Sequence, residues 1–383
     1  MEEVELRRLV PRVLGVLVRR GADFATAEDA VQEALIRALS TWEHDPPRDP
    51  EGWLVTVAWR AFLDLARSDG ARRDREVRVD REPASGPVPS TDDTLRLYVL
   101  CAHPQLSPAS AVALTLRAVG GLTTRQIAQA YLVPERTMAQ RISRAKRVVG
   151  RAGLAPGGDV RTVMRVLYLV FNEGYAGDVD LAAEAIRLTR QLARLVDDPE
   201  VDGLLALMLL HHARRPGRTG PDGRIVPLAE QDRSRWDEGL IAEGVAILQA
   251  ALAEDRLGEY QAQAAIAALH ADAPRFEATD WVQILEWYDE LLAFADTPIT
   301  RLNRAVAVGE ADGAPAGLAA LAEVDEGTPR WHAVAAHLHE RNGALERAAE
   351  LYALAARRAA SAAERDHLTL QAAKVNARLR GPV

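Results

Sequence analysis

The residues best equipped for chemistry are cations gathered on one predicted helix. Over 135–150 the chain places Arg136, Gln140, Arg141, Arg144, Lys146 and Arg147, with Arg151 just beyond and Glu135 the only acid nearby. Arginine and glutamine carry donors that match base edges in a DNA major groove, and the other cations attract phosphates. A short helix from Thr123 to Tyr131 precedes it, joined by a tight turn at Leu132-Val133-Pro134. Two helices with a basic second member form a helix-turn-helix pattern, in which Leu122, Ile127, Ala128, Val133, Met138 and Ile142 would clamp the pair together. A second group follows Glu51, where Trp53, Trp59 and Phe62 lie among Arg60, Arg67, Arg72 and Arg73. Aromatic faces beside cations suit unstacked bases on a phosphate track. Trp53 and Phe62 are read as core, whereas Trp59 and Arg60 are expected to face outward.

Other constellations point away from catalysis. Asn172-Glu173-Gly174-Tyr175 and Asp232-Arg233-Ser234-Arg235-Trp236-Asp237 concentrate polar groups, but no nucleophile motif, phosphate loop or Ser/His/Asp set accompanies them. A buried ion network is the better reading, with Arg214, Arg215, Arg233 and Arg235 as partners of Glu173 and Asp232. Adjacent His211 and His212 diverge by about 100° on a helix and cannot share a metal. His332, His337 and His339 also lack metal-ligand spacing. The single cysteine, Cys101, excludes an internal disulfide and reads as a small buried side chain. No catalytic residue, metal or cofactor is expected.

These candidates need helices to hold them. Val4 to Val18 repeats apolar residues at spacings of three and four, dented by Pro11. A second helix is predicted from Thr26, which would cap Asp29, with Ala30, Val31, Ala34, Leu35, Ala38 and Leu39 inward. Glu28, Asp29, Gln32, Glu33 and Arg37 then face solvent or a partner. Three prolines between His44 and Pro50 interrupt helix before a third segment from Glu51 to a basic exit at Arg72-Arg73. Residues 74–94 mix charge with proline, glycine and serine and read as a flexible linker. Ser107-Pro108 opens the next helix and Gly120-Gly121 ends it. Helices are then predicted at 161–172, 180–195, 201–214, 232–255, 259–271 and 281–294. Gly343, Ala348, Tyr352 and Ala355 stand at tetratricopeptide-like spacing, echoed by Asn303, Ala305, Ala307, Gly313 and Leu318.

Net charge is -8, which by itself disfavours a nucleic-acid partner. Its distribution reverses that impression, because residues 1–155 hold 23 Lys/Arg against 20 Asp/Glu while 156–383 hold 24 against 35. The acidic N-terminal segment Met1-Glu2-Glu3 is unlike a signal peptide, and no long apolar run appears, so a cytoplasmic protein is expected.

Three ordered motifs carry a family resemblance. Ala27-Glu28-Asp29-Ala30-Val31-Gln32-Glu33-Ala34-Leu35-Ile36-Arg37-Ala38-Leu39, followed by Trp42, resembles the core-polymerase-binding segment of extracytoplasmic-function (ECF) sigma factors of the sigma-70 family. Gly52-Trp53-Leu54-Val55-Thr56-Val57-Ala58-Trp59-Arg60, ending in Asp64-Leu65-Ala66-Arg67, is similar to their segment for the -10 promoter element. Gly121 to Ala128 and Val133 to Arg147 resemble their -35-reading helix-turn-helix. Val166 to Tyr175, Leu207 to Arg214 and Asp232 to Trp236 resemble the sigma group bearing a tetratricopeptide-like C-terminal extension, with Asp312-Gly313-Ala314-Pro315 a slight departure from that group's turn.

The resemblance implies a division of labour. Asp29, Gln32, Glu33 and Arg37 would dock on core RNA polymerase. Trp59, Arg60, Arg67, Arg72 and Arg73 would hold -10 DNA. Arg125, Arg136, Thr137, Gln140, Arg141, Arg144, Lys146 and Arg147 would contact the -35 element. The expected fold is all-α: a first sigma module over 1–75, a linker over 76–94, a helix-turn-helix module over 95–155, a helical extension over 156–295 and TPR-like helix pairs over 296–383. Promoter DNA and core polymerase are the expected partners, no membrane is expected, and an intramolecular contact between the acidic extension and the sigma modules is a further expectation. A free-standing helix-turn-helix regulator, and a chain whose main function lies in a C-terminal peptide-binding scaffold or degenerate enzyme, are the alternatives.

Overall fold

The structure is a computed structural model that describes residues 6–42, 46–70, 93–131, 133–150, 159–173, 180–218, 220, 226–359 and 361–380. Its regular elements, among the described residues, are all helical. They form two compact units, Met1–Val196 and Asp197–Val383.

The first unit opens with α1 (Val10–Arg19), α2 (Phe24–Thr41) and α3 (Pro50–Gly70). Pro11 sits in the first turn of α1, where a missing N–H costs nothing, so the proline starts the helix rather than bending it. The second helix begins before Thr26, because the cap is the Asp23 carboxylate, which accepts from the Thr26 backbone N–H at 3.0 Å. Its buried stripe is Ala27, Ala30, Val31, Ala34, Leu35 and Ala38. Leu39, expected inside, lies about 100° off that stripe and is exposed.

Next come α4 (Thr94–Cys101), α5 (Pro108–Ala118), α6 (Thr124–Ala130) and α7 (Glu135–Val149). Ser107 caps α5, and Thr123 caps α6 in a reciprocal box with Gln126. Gly121 ends the α5 turn at φ +72°, a left-handed conformation that glycine adopts without strain. Cys101 is buried on α4, and burial pushes its thiol far above its ordinary range. The segment expected as a linker falls outside the described residues apart from Asp93 and Thr94.

Helices α8 (Val160–Glu173) and α9 (Leu181–Ala193) pair with each other and complete this first unit. The boundary expected at 155/156 falls outside the described residues, and the helices on either side of it belong to one compact unit. The buried Tyr98 hydroxyl on α4 donates to the Leu188 carbonyl on α9 at 2.9 Å, a contact invisible to local periodicity.

The second unit contains α10 (Pro199–Ala213), α11 (Glu238–Leu252), α12 (Glu259–Asp272), α13 (Trp281–Phe294), α14 (Pro298–Ala311), α15 (Ala314–Leu321), α16 (Trp331–Arg341), α17 (Leu345–Arg358) and α18 (Ala362–Arg380). Each packs chiefly on its neighbours in sequence, with α10 also against α12 and α14 against α16. One core joins Ala262, Ile266, Ile284, Leu291 and Ala307, and another runs from Leu302 through Leu338 and Tyr352 to Val375. The helix expected from Asp232 starts only at Glu238, capped by Asp237. The Asp232 carboxylate instead caps a 3-10 turn at Arg233–Arg235, after which Trp236 is extended. Gly313 takes φ +95° between α14 and α15, with Pro315 in the first turn of α15.

Candidate nucleic-acid interface

Helix α7 has two faces with different fates. Met138, Ile142, Ala145, Lys146 and Val149 are buried. Arg136, Thr137, Gln140, Arg144 and Arg147 are exposed, and their spacings of one, three, four and three place them along a single side. Arg141 is half-buried, and Arg125 is exposed on α6. This is the layout of a reading helix whose inner face is clamped and whose outer face is open to a groove.

Lys146 departs from the expected -35 set. It lies one position from Ala145 on the inner stripe, so its amine points into the unit. There it reaches the Glu28 carboxylate and donates to Asp29 at 2.7 Å. Arg117, from α5, meets Glu28 from the other side at 2.8 Å. Glu28 is fully buried, and these are close charge contacts rather than well-aligned hydrogen bonds. Gln32 is also buried and donates to the Arg117 carbonyl at 3.4 Å. The polar side of α2 expected to face outward is thus half covered by α5 and α7.

The rest of α2 is open. Glu33 and Arg37 pair one helical turn apart in the open, and Ile36 and Leu39 stand 62% and 49% exposed beside them. Two large apolar side chains thus stand on an exposed ridge of α2. Sequence reading missed them because Ile36 and Leu39 fit an amphipathic pattern well enough to pass as ordinary helix residues.

On α3, Arg60 and Arg67 are exposed, with Arg67 3.5 Å from Asp64. Trp59, expected to face outward, is buried at 3% exposure. Its ring lies 5.3 Å from Phe62, with the Arg20 guanidinium 5.7 Å from its centroid. The reason is a double stripe: Leu54, Val55, Ala58, Trp59, Ala61 and Phe62 are all buried, so α3 turns a broad face inward. Trp53 is half-buried, edge-on to Trp42 at 5.1 Å. Arg72 and Arg73 lie outside the described residues.

Helix α9 touches both modules. Arg187 binds Glu184 and reaches the Gly120 carbonyl at 3.4 Å, while Glu184 approaches Arg7 at 3.6 Å. A Cβ on Gly121 would stand 2.9 Å from Val10 Cγ2 and 3.1 Å from Arg7 Cβ, so the glycine also permits close approach to α1.

In the second unit Asp232 is held mainly by Ser234, with Arg235 the expected cation whose charge also reaches it. Asp232 binds Ser234 through the backbone N–H at 3.0 Å and the hydroxyl at 2.7 Å, which holds its carboxyl below the usual range. Arg214 and Arg233 lie instead over the Trp236 ring.

An all-helical fold with a basic, outward-facing recognition helix defines a DNA-binding protein. Comparisons with known proteins make this specific. Sigma-70 region 2 matches residues 6–72, sigma-70 region 4 matches 96–148, and a family of unknown function, DUF6596, matches 159–252. The chain is 38% identical to an uncharacterized protein of Rhizobium meliloti over 95% of each chain. It is 33% identical to the ECF RNA polymerase sigma factor SigL of Mycobacterium tuberculosis, covering 34% of this chain and 77% of SigL. It is 30% identical to the probable ECF sigma factor SigI of the same species, covering 42% of this chain and 64% of SigI. No solved structure matches. The chain belongs to the ECF sigma factors of the sigma-70 family, which act in transcription initiation with core RNA polymerase and promoter DNA. Among the described residues no helix is long and apolar enough to cross a membrane.

Proposed function

We propose that this sigma factor, without catalytic activity of its own and working in the cytoplasm, docks core polymerase through α2. Glu33 and Arg37, flanked by Ile36 and Leu39, form the part of that surface already open, and Asp29 and Gln32 join it when α5 and α7 withdraw. Arg60 and Arg67 of α3 contact -10 DNA, and Arg136, Thr137, Gln140, Arg144 and Arg147 read the -35 element. The observation that carries this reading is the exposed side of α7, where a glutamine and three arginines stand in line while the opposite side is buried.

The extension is proposed to regulate. Contacts of Glu184, Arg187 and Leu188 with Arg7, Gly120 and Tyr98 support a role for α9 in holding the two sigma modules together. With Glu28 buried under Arg117 and Lys146, this is the resting form, and polymerase binding must compete with it. The tetratricopeptide-like character of α16 and α17 belongs to the same proposal: Gly343 makes the turn, and Ala348 and Tyr352 interlock the pair.

Transcription from a promoter library with purified core enzyme tests the reading. The expected result is initiation at a defined promoter that requires this protein and is lost in Arg144→Ala. A free-standing regulator would instead bind duplex DNA tightly without polymerase, and such binding with no initiation would overturn the proposal.

A further inference from the structure

The second unit contains a cluster of cations that, among the described residues, no carboxylate pairs with. Three segments converge: the end of α10 and the 3-10 turn after it with His211, Arg214 and Arg218, the Arg233–Trp236 turn, and the end of α12 with His270. The Arg214 and Arg233 guanidiniums stand 5.2 Å and 4.8 Å from the Trp236 ring centroid. Arg233 also donates through one nitrogen to the carbonyls of His270 and Ala273 at the end of α12. Arg214 Nε, Arg233 Nη2, Trp236 Nε1 and His270 Nδ1 are buried, and none of them has a hydrogen-bond partner.

Buried donors without acceptors are uncommon and cost about 1–3 kcal/mol each in a folded protein. Burying arginine without a counter-charge costs more. Among the described residues no carboxylate forms an ion pair with Arg214, Arg218 or Arg233. Glu277, which is exposed, is the acid whose charge reaches Arg233, and none reaches Arg214. The C-termini of α10 and α12 supply some negative potential, on the order of half an elementary charge each. Set against three guanidiniums, two helix ends and the exposed, solvent-screened Glu277 leave roughly one to two positive charges over among the described residues.

We propose that this cluster is a binding site for a phosphate dianion, free or as a phosphate monoester, held by Arg214, Arg218 and the free nitrogen of Arg233. The planar donor fork of arginine matches phosphate oxygens, and a dianion has the charge the cluster lacks. The two imidazoles fit the same account. His211 is pushed down to about 3 by burial, Arg214, Arg218 and His270, and His270 to about 4 by burial, Arg214 and Arg233, so both are neutral and add no further positive charge.

Titration of the full-length protein with inorganic phosphate, and separately with adenosine monophosphate, at constant ionic strength tests this by calorimetry and thermal unfolding. Saturable binding and a raised unfolding midpoint are expected. Inorganic phosphate binding alone identifies the free ion as ligand, and binding of the monophosphate at least as tight identifies an ester. Arg218→Gln, at an exposed position that folding tolerates, should weaken binding roughly tenfold or more; Arg214→Gln should do the same. The proposal is overturned if neither probe binds the wild type, or if binding is unchanged in Arg218→Gln and Arg214→Gln. It is also overturned if Arg233→Gln lowers stability in plain buffer while phosphate shifts neither protein, which would leave the cluster as a helix C-terminal cap only.

Discussion

Lys146 donates to Asp29 at 2.7 Å across 117 residues of sequence, joining the recognition helix to the helix that resembles a polymerase-docking segment. The same amine meets buried Glu28, so one side chain closes the first unit. Breaking a buried ion pair from one side costs about 3–5 kcal/mol, and less here because Arg117 still faces Glu28. Lys146→Ala should therefore destabilise the closed arrangement by about 2 kcal/mol and raise affinity for core polymerase on the order of tenfold. Equilibrium binding to fluorescently labelled core enzyme measures this, and unchanged or weaker binding would contradict the proposed resting form.

Arg144 and Lys146 are two residues apart yet should behave oppositely. Arg144 is exposed on the reading side of α7, and Lys146 is buried behind it. Loss of an arginine contact to a base edge typically costs about 1–3 kcal/mol. Arg144→Ala should reduce promoter-specific binding by the polymerase complex by roughly ten- to a hundredfold at fixed salt. Lys146→Ala should leave sequence preference intact. Mobility shifts on promoters varied only in the upstream element separate the two, and equal losses would return Lys146 to the DNA face.

Gly121→Ala tests how closely the helix-turn-helix module approaches α1. Alanine at φ +72° is strained by about 1 kcal/mol, and its Cβ would press on Val10 and Arg7. A loss of about 2 kcal/mol or more is expected in urea unfolding of the full-length protein. The strain term alone, about 1 kcal/mol, would mean that α1 and the glycine turn are apart in solution.

The helices, the helix-turn-helix and the reading face of α7 were legible because each depends on local spacing, capping residues and turn glycines. What the sequence concealed was long-range. Glu28, Arg117, Glu184 and Tyr98 look like ordinary surface or core residues until distant helices meet them. Trp59 was misplaced because a helix buried over two adjacent stripes breaks the single-stripe assumption. Lys146 was misplaced because lysine at an inner position reads as surface unless its buried acidic partner is known. Arg214 and Arg233 were assigned to carboxylates by charge alone, whereas the chain gives them an indole ring and helix-end carbonyls.

Stability should fall in mild acid, and the cation cluster explains its direction. Burial and neighbouring guanidiniums hold His211 and His270 down to about 3 and about 4, against 6.5 for the free side chain. Between about pH 6.5 and pH 4 the unfolded chain takes up protons that the folded chain refuses. Their contribution is thus fully present at neutral pH and is lost as pH falls through that window, with an upper limit of about 1.4 kcal/mol per pH unit for each imidazole. Urea unfolding at pH 7 and pH 5 should show the loss in the wild type. His270→Gln, which removes one proton-binding group, should show a shallower slope. Parallel pH dependence in the two proteins would place the acid sensitivity elsewhere, in the carboxylates of the chain.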